Sequence, residues 1–288
     1  MKQILILSGK GGTGKTTISS AFIKLANALV YADCDVDAPN LHLAMGNLLS
    51  AINNSYYGND KAFIDEEKCE KCGQCIEKCR FNAIKQRGNE YVIDYYNCEG
   101  CGVCEIICSA DAISLKPDVA GKLILDLNER VFSTAQLKMG SGTSGKLVSK
   151  VKKQMIENAV QTNIAIIDGS PGIGCPVIAS ISGVDLVLIV SEPSISGISD
   201  LERIIETSRK MKTNICVCIN KYDINLEQTN SIINICRNFN IPIVGKIPYD
   251  SKVMEALNMG KTIIDIDCNA GNAVKDVFNN TINILLNL

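Results

Sequence analysis

Two groups of residues in this sequence are spaced for chemistry. The first is Gly9-Lys10-Gly11-Gly12-Thr13-Gly14-Lys15-Thr16, followed by Thr17. It satisfies G-x-x-x-x-G-K-(S/T), a loop whose glycines let the backbone close around phosphate. N–H groups at the start of the following helix then face the anion. In this pattern Lys15 reaches the terminal phosphates and the Thr16 hydroxyl binds Mg²⁺. Gly9 through Thr17 are therefore the candidate nucleotide-binding residues. A second run, Gly140-Ser-Gly-Thr-Ser-Gly145-Lys146, repeats the glycine and lysine spacing but has Leu147 where a hydroxyl is needed. It reads as a strand-to-helix connection.

The second group is cysteine. Cys69, Cys72, Cys75 and Cys79 follow C-x2-C-x2-C-x3-C, and Cys98, Cys101, Cys104 and Cys108 repeat it. This spacing resembles that of bacterial two-cluster ferredoxins, where three thiolates of each run surround one 4Fe–4S cluster and the fourth crosses to the other. One cluster would take Cys69, Cys72, Cys75 and Cys108, and the other Cys98, Cys101, Cys104 and Cys79. Zinc bound by C-x2-C pairs is the competing reading. Arg80 and Ser109 stand where ferredoxins commonly have proline, a departure that bears on cluster potential.

The remaining composition sets limits. The chain has 288 residues, 46% hydrophobic and 21% charged, with a net charge of −2. This fits a soluble globular protein of about one or two domains. No block of lysine and arginine offers a footprint for nucleic acid, and no apolar run suits a membrane span. The N-terminal apolar run is too short for a signal peptide. Fourteen cysteines without an export signal point to metal in a reducing, cytoplasmic setting.

The elements that must position these groups alternate. Residues 3–7 read as a buried strand, 15–28 as a helix and 29–33 as a strand. Further on come helix 146–161, strand 164–168, a helix after 175 and strand 185–190. Then follow helix 199–211, strand 215–220, helix 227–238, strand 241–247, and helices 250–258 and 271–286. That order predicts an α/β fold with a mostly parallel sheet and helices on both faces. The alternation breaks over 59–116, where CEKCGQCIEKCRFNAI is repeated as CEGCGVCEIICSADAI. So small a repeat needs something besides packing to hold it. The expected domains are 1–58 with 117–288, and an inserted ferredoxin-like domain at 59–116.

Lys10 beside Gly9, and Asp33-Cys-Asp35-Val-Asp37 after the second strand, resemble the MinD-type deviant Walker A ATPases. These are relatives of ParA, the nitrogenase iron protein and the Mrp carriers. The resemblance implies a P-loop NTPase that forms an ATP-dependent homodimer, with Lys10 reaching nucleotide across the interface. It assigns Asp35 as the water-positioning acid, with Asp33 and Asp37 as neighbouring alternatives. It makes Asp168 of Ile164-Ala-Ile-Ile-Asp168 a Mg²⁺ ligand and Asn220 of Asn220-Lys221 an adenine contact. Ile247-Pro-Tyr-Asp250 resembles a further base-side loop. Lys10, Lys15 and Asp35 are thus the candidate catalytic residues, with ATP, Mg²⁺ and two 4Fe–4S clusters as cofactors.

With its insert, the chain resembles MinD-superfamily ATPases that carry a ferredoxin domain. Three functions follow from that resemblance: ATP-gated electron transfer to a redox partner, assembly or carriage of iron–sulfur or other metallocofactors, and nucleotide-switched positioning of a client protein. Cys175 is the one cysteine placed for a bridging site. Cys34, Cys216, Cys218, Cys236 and Cys268 read as packed, and His42, the single histidine, as packed or on the surface rather than catalytic. The C-terminal helix has too few basic residues for a stable membrane anchor and reads as a closing helix on the sheet.

Overall fold

The computed structural model describes residues 1–46 and 51–288. The first half of the chain runs β1 (Lys2–Leu7), α1 (Lys15–Leu25), β2 (Val30–Asp33), α2 (Leu41–Met45), β3 (Ile52–Tyr57) and β4 (Lys61–Ile64). It continues with α3 (Gln74–Lys78), β5 (Ile84–Arg87), β6 (Glu90–Ile93), α4 (Val103–Ile106), β7 (Ile113–Lys116), β8 (Val119–Asp126) and β9 (Val131–Leu137). Then come α5 (Ser144–Glu157), β10 (Ile164–Asp168), α6 (Cys175–Ile181), β11 (Leu186–Ser191), α7 (Ile195–Lys210) and β12 (Asn214–Asn220). The chain ends with α8 (Leu226–Asn238), β13 (Ile243–Ile247), α9 (Lys252–Asn258) and α10 (Asn269–Leu286).

Contacts divide the chain into two compact units. One comprises Met1–Asn53, Leu123–Gln136 and Gly145–Leu288; the other comprises Asn54–Lys122 and Leu137–Ser144. The second unit is thus larger than 59–116 and takes in a separate stretch after β9. Among the described residues, nine strands form one sheet in the order β13-β12-β11-β1-β10-β2-β9-β8-β3. From β13 to β9 the neighbouring strands are parallel. The central strands β1, β10 and β11 are near-continuous runs of Val, Ile, Leu and Ala because helices cover both faces of such a sheet.

Strands β8 and β9 have no counterpart among the sequence-predicted elements. Their apolar runs are interrupted by Gly121, Lys122, Ser133 and Thr134, which blur the periodicity. Ser133 nevertheless lies in the core, where its hydroxyl donates to the Val151 carbonyl at 2.9 Å. Of the Gly140–Lys146 run, residues 140–143 connect β9 to α5 and Ser144–Lys146 open the helix, a strand-to-helix connection as expected. Helix α7 begins at Ile195 rather than near 199, because the Ser194 side chain accepts the Gly197 N–H at 3.1 Å and caps the helix. Helix α10 buries Ala270, Val274, Val277 and Leu285 in the core, and Phe278 meets Phe22 edge-on at 5.1 Å. Among the described residues, no helix is long and apolar enough to cross a membrane.

One buried charge ties the helices of the first unit together. Lys152 of α5 donates to the Ser180 carbonyl at 2.6 Å and to those of Ala179 and Ser182, at the end of α6. Helix ends leave such carbonyls unpaired, and a lysine there also complements the helix dipole. Lys152→Ala should therefore cost about 2–3 kcal/mol, the loss of charge-assisted bonds with the acceptors left buried. Urea unfolding at pH 7 measures it; an unchanged midpoint would show that the carbonyls find other donors.

Candidate functional site

The parallel register of β10 against β2 sets Asp168 beside Asp33 at the carboxyl ends of their strands. This is where ligands bind in open parallel sheets. Lys15, the first residue of α1, reaches back to Asp168, with Nζ 2.9 Å from Oδ1. The pair is almost wholly buried, at 6% and 0% side-chain exposure. Thr16 Oγ1 donates to Asp168 Oδ2 at 2.8 Å and Ser19 Oγ to Oδ1 at 2.6 Å, so both carboxylate oxygens are engaged. Burial alone would lower the Lys15 pKa, but Asp168, with smaller contributions from Asp33 and Asp35, holds it above the ordinary value.

Asp33 organises the segment that follows β2. Its Oδ1 accepts the Asp35 N–H at 2.9 Å, and its Oδ2 accepts those of Asn40 and Leu41 at 3.0 Å. Burial pushes its pKa up, reinforced by Asp168 and opposed by Lys15. Asp35 is half-buried on the wall of the adjoining cavity, and burial pushes its carboxyl up to about 6, against the pull of Lys15. Asp37 is exposed.

The cavity has a volume of about 480 Å³. One end is the glycine loop with Lys10, Lys15, Thr16 and Thr17; the other is formed by Ile247, Pro248, Tyr249, Val253 and Met254. Asn220, at the end of β12, also lines it and donates to the Thr13 carbonyl at 2.6 Å. Gly14 has φ +92°, and a Cβ there would stand 2.4 Å from the Asn220 amide, so only glycine fits.

Lys10 is held differently from Lys15. Its Nζ lies 2.6 Å from Glu192 Oε1 and donates to Ser194 Oγ and Ser196 Oγ, each at 3.2 Å. Lys221 meets the other Glu192 oxygen at 3.4 Å and donates to the Gly12 carbonyl at 3.0 Å. Burial opposes the charge on Glu192, yet the Lys10 hydrogen bond and both lysine charges keep its carboxyl below the usual range. Glu192 is not among the candidate site residues that the sequence offers. Nothing in the spacing of residues 10 and 192 announces their contact.

The cysteines of the second unit fall into two sets. Cys69, Cys72, Cys75 and Cys108 line one cavity, while Cys79, Cys98, Cys101 and Cys104 line another. Among the described residues, no group of three or more His, Cys, Asp or Glu side chains converges tightly enough to hold a metal ion. The repeat is visible in the backbone. Gly73 and Gly102 both have positive φ, as do Lys71 and Gly100, and Asn82 and Asp111. The strands pair across the repeat, β4 with β7 and β5 with β6, both antiparallel. Corresponding amides of Ala83 and Ala112 donate to Cys79 Sγ at 3.4 Å and Cys108 Sγ at 3.3 Å.

The other cysteines are apart from both sets. Cys216 and Cys218 are buried on β12, where burial pushes both thiols up. Cys34, Cys236 and Cys268 are buried as well. Cys175 is exposed at the start of α6, with no other cysteine in its helix. His42 is partly exposed on α2, its Nδ1 buried without a partner.

Sheet, loop and buried Lys15–Asp168 pair together define a P-loop nucleotide-binding protein. Residues 4–263 match the family model described as the CobQ/CobB/MinD/ParA nucleotide binding domain, and the chain belongs to that family. It is an ATPase of the MinD/ParA type. It is 32% identical over 283 residues to the uncharacterized protein MJ0578 of Methanocaldococcus jannaschii, covering 96% of this chain and 95% of that one. It is 24% identical to the septum site-determining protein MinD of Buchnera aphidicola subsp. Baizongia pistaciae, covering 98% and 91%. Among solved structures, the MinC:MinD cell division protein complex of Aquifex aeolicus superposes with a TM-score of 0.57 at 20% identity, covering 98% and 96%.

The charges around Asp33 and Asp35 have measurable consequences. Asp33→Ala removes the acceptor of three backbone N–H groups, so hydrogen exchange at Asp35, Asn40 and Leu41 should accelerate about tenfold or more. Unchanged protection would mean the segment holds itself. Asp35 has a raised pKa in the folded chain, so its ionisation subtracts stability as pH climbs from about 4 to about 6. Asp35→Asn should therefore stabilise the nucleotide-free protein at pH 7 by about 1 kcal/mol after discounting for solvent screening. The gain should vanish below pH 4.

Proposed function

We propose that the chain is an ATP-driven switch that closes as a homodimer and, in that state, controls a protein partner. The observation that carries this reading is the unlike placement of two lysines in one loop. Lys15 is buried with Asp168 at the cavity floor, whereas Lys10 is 34% exposed and held by residues beyond the loop. The likeness to MinD, including a structure of MinD with MinC, supports a switch that acts by association.

In this reading Gly9–Thr17 cradle the phosphates and Lys15 neutralises the terminal ones. Thr16 and Asp168 would hold Mg²⁺; their 2.8 Å contact places a hydroxyl and a carboxylate together, donors suited to that hard cation. Bound Mg²⁺ would offset negative charge on the phosphates. Asp35, charged above pH 6, orients a water for in-line attack on the terminal phosphorus, and ATP and water give ADP and phosphate. Asn220 and the Ile247–Asp250 loop face the base. Lys10 serves the nucleotide of the partner protomer.

Sedimentation of the chain with a non-hydrolysable ATP analogue and with ADP tests the switch. A dimer with the analogue alone is expected, with Lys15→Ala and Lys10→Ala both monomeric. Asp35→Ala should dimerise but hydrolyse ATP at least about a hundredfold more slowly. An oligomeric state indifferent to nucleotide would exclude the reading.

A second reading concerns the cysteine unit, and one observation favours it. Each cavity there is lined by three cysteines of one run and the last of the other, the crossing that two 4Fe–4S clusters require. The number of cysteines, their crossed grouping and the backbone donors to Cys79 and Cys108 support this reading, which requires the thiolates to draw closer together than they stand here. When bound, the clusters would accept and release single electrons. Residues 59–116, within the second unit, would then be a ferredoxin-like insert, and ATP-driven closure would gate electron transfer to a redox partner. Anaerobic reconstitution should give about eight irons per chain. Cys108→Ser should perturb the first cluster's spectrum and Cys79→Ser the second. Stoichiometric zinc with no iron chromophore would overturn the assignment. A redox titration with MgADP and the ATP analogue then separates gated transfer, seen as a potential shift, from a cluster that only shapes a docking surface.

A further inference from the structure

We propose that Asp223 is a positioning residue for the base end of the nucleotide cavity: it holds the Ile247–Asp250 loop in place relative to the glycine loop. The proposal rests on the reading that the Ile247–Asp250 loop faces the base. Four consecutive residues, Asn220-Lys221-Tyr222-Asp223, run on from the end of β12. The first two hold the glycine loop, where Asn220 Nδ2 donates to the Thr13 carbonyl at 2.6 Å and Lys221 Nζ to the Gly12 carbonyl at 3.0 Å. The last two hold the other end. The Tyr222 N–H donates to the Ile247 carbonyl at 3.1 Å, and Asp223 Oδ1 accepts the Tyr249 N–H at 2.7 Å. One short turn thus grips both ends of the cavity.

Local structure explains how a single turn can do this. Parallel pairing of β12 with β13 sets Asn220 beside Ile247, so both strands end at the same place. Lys221 has φ +53°, a left-handed conformation that turns the chain sharply after the strand. Asn220 Oδ1 accepts the Lys221 N–H at 3.0 Å, and Thr229 Oγ1 of α8 donates to the Tyr222 carbonyl at 2.7 Å. Both contacts brace the turn.

Asp223 supplies the outermost hold. Pro248 has no N–H to offer, so the first N–H beyond β13 is that of Tyr249, and Asp223 takes it. The bonds from Tyr222 and Asp223 fall on either side of Pro248, which lines the cavity, and so fix where its ring stands. A charged acceptor makes the stronger bond, and the exposure of Asp223 to solvent limits its worth. Losing it leaves the contacts of Asn220 and Lys221 with the glycine loop intact. The effect is therefore confined to the base.

Two measurements with Asp223→Ala test this, with Asp223→Asn as the conservative variant. The first is hydrogen exchange at the Tyr249 amide of the nucleotide-free chain, read by NMR. Exchange should accelerate about fivefold in the alanine variant. It should stay within about twofold of wild type in the asparagine variant, whose amide oxygen still accepts. Equal rates in all three chains would overturn the hold. The second compares the affinity of MgADP with that of magnesium tripolyphosphate, which has no base, by titration calorimetry. MgADP should bind Asp223→Ala about fivefold more weakly, with tripolyphosphate unchanged, and Asp223→Asn should restore it. An unchanged MgADP affinity, or an equal fall for both ligands, would show that Asp223 does not position the base end. A wild-type chain that binds MgADP no better than tripolyphosphate would defeat the base-facing reading, and amide exchange would still decide the hold.

Discussion

The nucleotide end of this molecule depends on one buried ion pair. Lys15 and Asp168 sit at 6% and 0% exposure, and taking two charges out of water costs more than a bare contact returns. The pair is tolerated because its surroundings complete it: Thr16 and Ser19 donate to the carboxylate. Those donors come from the first turns of α1, and Asp168 from the last residue of β10, so the pair fixes how helix and strand meet. It also explains the raised pKa of Asp33, a second carboxylate in register with Asp168 on the neighbouring strand, which shares the same lysine. One cation facing two buried carboxylates leaves a net negative site, and the backbone amides of residues 35, 40 and 41 stabilise that excess.

The second unit solves a different problem. It buries few large apolar side chains; its core is a small group around Ala62, Ile64, Ala83, Ile84 and Ile113 with cysteines packed against it. Strand exchange between the repeats compensates in part. Because β4 pairs with β7 and β5 with β6, neither repeat can close its own ladder, and each needs the other. The same exchange brings the last cysteine of each run to the opposite cavity. Crossing of cysteines and crossing of strands are one geometrical fact, which is why the two identically spaced runs cannot be treated as independent sites.

Much of this was legible in the sequence, for reasons of range. The glycine loop is a contiguous motif whose spacing is its geometry, so it could be placed before any coordinates. The central strands announced themselves as unbroken apolar runs. Strands β8 and β9 did not, since Ser133 and Thr134 disguise a buried segment whose polarity is satisfied by tertiary contacts such as the Val151 carbonyl. The early start of α7 depended on a serine cap that a periodicity reading passes over. Lys152 and its three carbonyls were invisible because helix-end acceptors declare themselves only when helices are packed. The grouping of Asp33 with Asp168 likewise required strand order, which no local pattern encodes.

The Glu192 network and the Lys15 pair share the glycine loop, and this has a consequence for how nucleotide is sensed. Gly12 and Thr13 offer their carbonyls to Lys221 and Asn220, both at the end of β12, while Gly14 leaves room for the Asn220 amide. The loop is therefore shaped in advance from the carbonyl side, so its N–H groups stay directed at the phosphate position without rearrangement. Binding can then leave the cradle as it stands and change only the charges around it. In the proposed reading a bound polyphosphate would draw on Lys15 and add negative charge beside Asp33 and Asp35, a charge that Mg²⁺ would offset. In the proposed closed dimer the outermost charges of the partner's nucleotide would compete with Glu192 for the Lys10 ammonium. A diphosphate carries less charge to that rim than a triphosphate. Discrimination between the two states can thus arise from competition for one lysine, with no large motion of the sheet beneath it.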